Sequence, residues 1–443
     1  MSTDKLSITQ RLGYGVCCFG TDIFFQAASF FLLFYYTDVL GLSASAGGAI
    51  YMIALAWDGL IDPFVGQFAN RTRSRFGRYR PFILYGAIPL ALSYTLIFWP
   101  NQLVGTALFM WALFAHMLFR TAYAFVSIPF GALSAQLTDS SSERSVLAGF
   151  RVIFATLAGL LVAVATQPLV HKFGGGDLKT GYFNVALLYG ALAIIAFGIA
   201  FLNTRERVQS DVAEPSFSDG IRMLKNNRPF WLICGAIVLA SLGGTMFTKA
   251  LLYFCKYNLG DETLNQRFLA NIVVLVALLT PFWALLSKRW GKRTVWLLGS
   301  GLCCAGMIIA LTSTLNAGNL LWVVRLYAAG FAALAVMFWS IIPDTVEYGQ
   351  WRSKVRAEGM IFGFVALAQK VALGLGVGLL GLGLDWSGFQ ANATQTTDAL
   401  AGIQTLMAAG PLIGVALSAL VMWFYRLDSA THARMVSELN AAR

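Results

Sequence analysis

Long apolar runs follow one another along this chain and are separated by short polar segments. Twelve of these runs are near or beyond about 18 residues, the length an α-helix needs to cross the hydrocarbon core of a bilayer. The predicted spans are residues 13–38, 46–69, 82–100, 104–136, 146–170, 182–203, 229–257, 265–287, 295–315, 319–343, 359–386 and 400–425. The pattern predicts an all-α membrane protein with twelve transmembrane helices.

Composition supports a membrane protein. Hydrophobic residues make up 58% of the 443 residues and charged residues 12%, and the mean hydropathy is +0.67. A soluble protein of this length needs more charge to cover its surface. Most of the six cysteines lie in apolar segments without the spacing of metal ligands, so we interpret them as buried small hydrophobic residues.

The net charge of +11 comes from basic residues in short loops between the spans. The loops "WPNQLVG", "STLNAGN" and "WSGFQANATQTTD" contain no lysine or arginine. By the positive-inside rule, this alternation predicts that both termini lie in the cytoplasm, and it argues against a nucleic-acid partner. The basic residues of the loops after the second, eighth and tenth spans are Arg71, Arg73, Arg75, Arg78, Arg80, Lys288, Arg289, Lys292, Arg293, Arg352, Lys354 and Arg356.

A short motif occurs twice. "RSRFGRYRP" follows the second span and "SKRWGKRT" follows the eighth, six helices later. An aromatic–glycine–basic sequence at equivalent points predicts two pseudo-symmetric six-helix bundles. The predicted organisation is a first bundle at 1–203, a cytoplasmic linker at 204–228, and a second bundle with a short cytoplasmic tail at 229–443.

Acidic residues occur inside the predicted spans. Asp58 and Asp62 lie one helical turn apart in "WDGLIDP", and Asp22 lies in the first span. An ionisable group at membrane depth costs about 3 kcal/mol, unless it lies near a helix end and reaches the interface. Two such carboxylates stay ionised together only with a partner, so one takes a proton or both share a cation. Pro63 removes a backbone hydrogen bond and predicts local loosening of the helix.

Basic and polar residues also occur inside spans. Arg151 lies in the fifth span and Lys370 in the eleventh, while Lys249 in the seventh is either buried or reaches the interface. A stripe on the fourth span is too polar to face lipid and predicts a cavity lining, although its histidine alone is typical of a structural residue. The members of this stripe are His116, Arg120, Tyr123 and Ser127.

Enzymatic motifs are not found in the sequence. The glycines of "LGLGVGLLGLGL" lack the strand context and the Lys-Ser/Thr ending of a phosphate loop, and they favour close helix packing instead. No Ser/His/Asp or metal-ligand arrangement is apparent. We therefore predict no enzymatic activity and no cofactor beyond a coupling cation.

Five segments together resemble the glycoside–pentoside–hexuronide:cation symporters, the branch of the major facilitator superfamily that includes melibiose permease. The resemblance implies a major facilitator fold, alternating access, and sugar uptake with a cation by a monomer in the bacterial cytoplasmic membrane. The segments are "YYTDVLGL" (35–42), "WDGLIDPFVG" (57–66), "NRTRSRFGRYRPFIL" (70–84), "SIPFGAL" (127–133) and "PDTVEYGQWRSKVRAEG" (343–359).

The resemblance also implies roles for individual residues. Asp58 and Asp62 match the aspartates that bind the coupling cation in melibiose permease, and Lys370 matches a lysine near that site. The sugar is expected at a set of polar side chains, with an aromatic residue and a hydroxyl shaping the pocket. This set comprises Asp22, Arg151, Tyr123, Ser127, Lys370 and Trp339.

Departures from the family pattern bear on the cation. Melibiose permease has a second sugar-binding aspartate where Ser127 stands and a tryptophan where Gly131 stands. Two neutral oxygen ligands of its sodium site correspond to Ile61 and Ala124. Sodium needs several oxygen ligands, whereas a proton needs one carboxylate, so the sequence favours proton coupling.

The substrate is less constrained. Arg120 and Lys249 add positive charge to the predicted cavity, which favours an acidic sugar such as a hexuronide unless Asp58 or Asp62 neutralises Arg120. The alternatives are a sodium-coupled symporter of a neutral glycoside and a lysolipid transporter of the same fold. A lysolipid transporter would need a lateral apolar opening.

Charged residues near the predicted cytoplasmic ends of the spans complete the prediction. They are expected to form pairs that close the cytoplasmic side in the outward-facing state. The residues assigned to this gate are Arg75, Arg78, Asp344, Glu347 and Arg356.

Overall fold

The computed structural model describes residues 5–138, 140–206, 217–355, 358–427 and 429–441. Within these ranges every regular element is a helix, and no strand occurs. Twelve of the helices in the described ranges are long and apolar enough to cross a membrane, which confirms the prediction from the apolar runs. The protein is an integral membrane protein.

The first six long helices form an N-terminal unit, in which residues 1–211 group with residues 265–270 and 389–394. Its first helix continues into a π-helical turn at Tyr35–Val39. The bounds are α1 Ile8–Phe34, α2 Ala44–Arg71, α3 Arg80–Ile97, α4 Gly105–Leu137, α5 Ser141–Gly174 and α6 Leu178–Asn203.

The remaining residues form a C-terminal unit, which includes α9 apart from its residues 265–270. It includes a short helix, α7, inside the segment 204–228 that the sequence predicted as a linker; residues 207–216 lie outside the described ranges. Helix α8 also continues into a π-helical turn, at Phe254–Asn258. The bounds are α7 Phe217–Lys225, α8 Arg228–Tyr253, α9 Leu264–Trp290, α10 Lys292–Thr312, α11 Ala317–Ser353, α12 Glu358–Trp386, α13 Thr397–Trp423 and α14 Ser429–Ala441.

Helix pairing is repeated between the two units. In the N-terminal unit α1 packs on α5 and α6, and α3 packs on α4 and α6. The corresponding helices of the C-terminal unit pair in the same way, α8 with α12 and α13, and α10 with α11 and α13. In the N-terminal unit α2 also packs on α4. Their counterparts α9 and α11 are joined by a hydrogen bond, which the Trp283 indole donates to the Ala329 carbonyl at 2.9 Å. This repetition agrees with two pseudo-symmetric bundles.

The glycine of the duplicated motif has a positive φ in both copies. Gly77 in "FGR" has a φ of +104° and Gly291 in "WGK" has a φ of +83°, values that a side chain at Cβ disfavours. The π-helical turns also match, because the N–H of Leu42 donates to the Tyr36 carbonyl and that of Asp261 to the Cys255 carbonyl, both at 3.0 Å. This second repeat, at the ends of α1 and α8, was not predicted.

The loop before α3 is held by one carboxylate. Glu206, just after α6, accepts the backbone N–H groups of Arg78, Tyr79 and Arg80 at 2.7, 2.7 and 3.0 Å. Backbone N–H groups at a helix start lack partners within the helix, and an anion there also interacts favourably with the helix dipole. The Arg80 guanidinium donates to the Phe201 carbonyl and lies 4.4 Å from the centroid of its ring. The loop between α2 and α3 is therefore fastened to the end of α6.

We expect Glu206→Gln to lower the unfolding temperature of the purified protein, because the neutral amide offers one acceptor oxygen to three N–H donors. Hydrogen bonds to a charged group contribute about 1.5–3 kcal/mol. The control is Asp398→Asn, which removes an exposed carboxylate in the first turn of α13 and should have a smaller effect. Unfolding of Glu206→Gln at the wild-type temperature would contradict this interpretation of the loop.

Candidate functional site

A buried ion pair joins α2 and α4. An Arg120 guanidinium nitrogen, Nη1, lies 3.8 Å from Asp58 Oδ2, and the two side chains are 3% and 1% exposed. Arg120 Nε also donates to His116 Nε2, one turn earlier on α4, at 3.2 Å. The sequence left open whether Arg120 adds positive charge to the cavity or is neutralised by a carboxylate of α2. In the structure its charge is balanced by Asp58.

His116 supports this pair. A guanidinium only donates hydrogen bonds, so His116 Nε2 must act as an acceptor, and the proton of the neutral ring then lies on Nδ1. Nδ1 lies 3.1 Å from the Tyr36 hydroxyl, and the ring of Tyr51 packs edge-on at 5.1 Å. His116 is completely buried and holds Arg120 in position, which agrees with the structural role that the sequence left open.

Asp62 lies one turn after Asp58 on α2 and is half-buried. The helix runs without interruption through Pro63, so the predicted loosening does not break it. The neighbouring positions Ile61 and Ala124 offer no side-chain oxygen. Among the described residues, no group of three or more His, Cys, Asp or Glu side chains is arranged to hold a metal ion.

A second polar cluster joins α1 and α5. Cys18 Sγ donates to Asp22 Oδ2 at 2.9 Å and lies 3.4 Å from the carbonyl oxygen of Arg151. The Arg151 guanidinium is close enough to Asp22 to interact with it electrostatically, and it lies 5.6 Å from the centroid of the Phe130 ring. Tyr14 packs on the same ring at 4.8 Å. The cluster thus offers a carboxylate and a guanidinium together.

Tyr123 connects the two clusters. It lies three residues after Arg120 on α4, and its hydroxyl interacts electrostatically with Asp22, Arg120 and Asp58. Its ring is stacked with that of Phe25, and the two ring centroids lie 6.4 Å apart. Tyr123 therefore lies within electrostatic range of a charged residue of each cluster, Asp22 in the second and Asp58 in the first.

The next positions on α4 are small. Ser127 is half-buried one turn after Tyr123. At Gly131, a Cβ atom would meet no atom within 4 Å, so the space that an aromatic residue would fill is open. An aromatic platform from this helix is absent at that position.

Three of the predicted substrate residues belong to the C-terminal unit. Lys249 in α8 is buried, which agrees with the first of its two predicted positions. Lys370 in α12 is half-buried. Trp339 in α11 is 60% exposed, and its ring packs on Phe338 at 4.6 Å.

The predicted gate residues form contacts within their own units. Asp344 accepts from Lys292 Nζ at 2.7 Å, and Glu347 lies 2.5 Å from His432 of α14. The Arg75 guanidinium lies 4.6 Å from the centroid of the neighbouring Phe76 ring, and the Arg78 backbone is held by Glu206. Arg356 lies outside the described residues. The role of these residues in closing the cytoplasmic side stays a prediction.

Comparisons with known proteins give the family. The MFS/sugar transport protein family matches residues 13–429. The isoprimeverose transporter of Lactiplantibacillus pentosus is 32% identical over 446 residues, covering 97% of this chain and 91% of that protein. The chain belongs to the MFS/sugar transport family. The predicted resemblance to the glycoside–pentoside–hexuronide:cation symporters is confirmed.

Other relatives of this MFS sugar transporter carry related names. The glucuronide carrier protein homolog of Escherichia coli (strain K12) is 27% identical, covering 98% of this chain and 96% of that protein. A putative sulfoquinovose importer of Salmonella typhimurium is 28% identical, covering 99% and 93%. The family and these relatives are transporters rather than enzymes.

Solved structures confirm the fold of the transporter. The nucleoside transporter NupG aligns with a TM-score of 0.69 over 94% of this chain and 100% of that chain, at 14% identity. A structure of proton dependent oligopeptide transporters aligns with the same score over 98% and 100%, at 10% identity. At such low identity these likenesses show the fold alone, which is the predicted major facilitator fold.

Sequence reasoning missed several neighbours of the site in the transporter. Cys18 is buried as predicted for a small hydrophobic residue, but it also donates to Asp22, and the four-residue spacing on α1 was the available signal. Phe130 lies against Arg151, and Tyr36 lies within hydrogen-bonding distance of His116. In both cases the two partners are on different helices and far apart in the sequence. No periodicity within one helix reveals such partners.

We expect Arg120→Gln to destabilise the transporter by about 3–5 kcal/mol, because it leaves the Asp58 carboxylate buried without its cationic partner. The double variant Asp58→Asn/Arg120→Gln should recover part of the loss, as measured by denaturant unfolding in detergent. The matched control is Arg11→Gln, since its ion pair with Glu143 is less buried and should cost less. Additive effects of the two single substitutions would contradict a direct interaction.

Proposed function

We propose that the protein takes up a glycoside together with a proton by alternating access in the bacterial cytoplasmic membrane, with both termini inside. The observation that carries this proposal is the series of polar groups from Asp22 and Arg151 through Tyr123 to Arg120 and Asp58 in one membrane-spanning unit. Relatives named as sugar transporters and symporters support sugar symport. The asymmetry of basic loops supports the orientation.

The sugar is held at the Asp22–Arg151 cluster. A carboxylate accepts hydrogen bonds from sugar hydroxyls, and a guanidinium donates two parallel ones, so the pair matches a vicinal diol. Cys18 orients Asp22, and Phe130 supports the Arg151 guanidinium from one side. The open space at Gly131 leaves room for the second residue of a disaccharide or an aglycone.

The proton is carried by Asp62. Arg120 balances the charge of Asp58, and in this proposal the neighbouring carboxylate, Asp62, takes up and releases the proton. A sodium ion would need several oxygen atoms around it, and Ile61 and Ala124 supply none from their side chains. Proton coupling therefore fits this chain better than sodium coupling. One charge moving through the field contributes about 2.3 kcal/mol per 100 mV to sugar accumulation.

Tyr123 couples the two events. Asp22, Arg120 and Asp58 all lie within electrostatic range of its hydroxyl. A sugar that draws the Tyr123 hydroxyl towards Asp22 changes the hydrogen bonds available around Arg120. Sugar occupancy thereby alters the charge environment of the carboxylates on α2.

A neutral glycoside fits the charges better than an acidic one. The predicted preference for an acidic sugar relied on Arg120 and Lys249, and the pairing of Arg120 with Asp58 removes the first of these two charges. At the proposed sugar cluster the opposite charges of Asp22 and Arg151 cancel. Names of the relatives include both kinds of sugar, isoprimeverose and glucuronide, so they do not decide between them.

We expect Asp62→Asn to abolish sugar accumulation driven by a pH gradient in proteoliposomes, because the amide cannot take up and release the proton. Sugar binding and exchange without a gradient should persist, which would separate loss of coupling from loss of folding. The control is Asp177→Asn, since asparagine can also cap α6 at that exposed position.

Two results would contradict the assignment of the cation. One is gradient-driven accumulation by Asp62→Asn at the wild-type level. The other is wild-type uptake that increases with added Na⁺ at fixed pH and membrane potential, which would indicate sodium coupling.

We expect a neutral β-glycoside to compete for uptake at least tenfold better than the glucuronide of the same aglycone, a difference of about 1.4 kcal/mol. The reason is that Asp22 would repel the carboxylate of the glucuronide. Arg151 would attract it only weakly, because its charge is already shared with Asp22. Inhibition constants from competition assays measure this difference. Stronger competition by the glucuronide would restore the preference for an acidic sugar.

A further inference from the structure

A polar cavity of about 740 Å³ lies in the C-terminal unit, beside the turn from α9 to α10 and the segment after α13. None of the residues assigned to the sugar or the proton lines it. The lining residues that matter here are Arg289, Lys292, Arg293, Asp344, Tyr425 and Arg426.

The cavity carries excess positive charge. Its carboxylate, Asp344, is held by Lys292 Nζ at 2.7 and 2.9 Å. Arg289, Arg293 and Arg426 form no ion pair with any residue that the structure describes. Arg293 is half-buried while Arg289 and Arg426 are exposed, so solvent screens part of their mutual repulsion and the cavity keeps a positive charge that favours an anion.

The start of α10 adds backbone donors. Its N-cap residue is Gly291, which provides no side chain to cap the first N–H groups, and the first residues of the helix line the cavity. Uncapped N–H groups at a helix start, together with the helix dipole, favour an anion.

Tyr425 provides independent evidence for a ligand. The side chain is 2% exposed and lines the cavity, yet its hydroxyl has no hydrogen-bond partner among the described residues. Burial, with a smaller contribution from Asp344, raises the pKa of Tyr425, so the hydroxyl keeps its proton and acts as a donor. The Nε atom of Arg293 is also buried and has no described partner. A buried donor without an acceptor is unfavourable, and a bound anion would satisfy both groups.

We propose that this cavity binds a phosphate group, as inorganic phosphate, a phosphorylated small molecule or the headgroup of an anionic phospholipid. Guanidinium forks, helix N–H groups and a phenolic hydroxyl are the donors that phosphate oxygens prefer. The volume exceeds that of one phosphate, so a substituent on the phosphate is accommodated. The site is separate from the sugar cluster and adds a second ligand to the protein.

The experiment uses the purified full-length protein and has two arms. In the first, inorganic phosphate is titrated into the detergent-solubilised protein by calorimetry. In the second, the protein is reconstituted in nanodiscs of phosphatidylcholine that also contain phosphatidylglycerol, and bound lipid is counted by native mass spectrometry. The variants are Arg293→Gln and Tyr425→Phe, and the control is Arg434→Gln, an exposed arginine of α14 that does not line the cavity.

We expect saturable binding in at least one arm, weakened at least tenfold by Arg293→Gln and several-fold by Tyr425→Phe, and unchanged in Arg434→Gln. Binding of inorganic phosphate would identify a soluble ligand, and retention of phosphatidylglycerol alone would identify a lipid headgroup. If Arg293→Gln does not fold, the isosteric Tyr425→Phe decides the outcome. No saturable binding in either arm, or equal binding by Tyr425→Phe and the wild type, would overturn the proposal.

Discussion

The ion pair between Arg120 and Asp58 is the constraint on which the rest of the N-terminal unit depends. Either charge alone would be unstable inside a membrane-spanning bundle, because neither water nor lipid can solvate it there. A third group supports the pair, because His116 Nε2 accepts a hydrogen bond from Arg120 Nε. Around this core the uncharged polar groups, from Tyr36 to Tyr123, have defined positions.

The two units share their helix pairing but differ in where they bury charge. In the N-terminal unit charged groups on α1, α2 and α4 lie within electrostatic range of Tyr123, and two of them, Asp58 and Arg120, form an ion pair. In the C-terminal unit the best-defined ion pair, between Lys292 and Asp344, lies at the start of α10 beside the cavity that we assign to a phosphate group. Duplication therefore explains the scaffold, whereas the chemistry follows from substitutions made separately in each half.

The sequence predicted the helices well because apolar length reports membrane thickness directly. It did not predict their ends: the span predicted at 319–343 belongs to α11, which continues to Ser353 through polar residues. Hydropathy stops at the membrane surface, but helical hydrogen bonding does not.

The site was predicted in part. A helical stripe identifies which residues share a face, so His116, Arg120 and Tyr123 were found together. It cannot identify the partner on another helix, and the choice between Asp58 and Asp62 for Arg120 needed the structure. Cys18 was missed because a thiol is counted as hydrophobic although it can donate a hydrogen bond.

Glu206 has a consequence for the order of assembly. The turn that it fastens lies between the second and third helices, but the carboxylate itself follows the sixth. All six helices of the first bundle must therefore be translated before the hydrogen bonds that hold this turn can form. The loop between α2 and α3 therefore reaches its final conformation only after the whole N-terminal bundle has been synthesised.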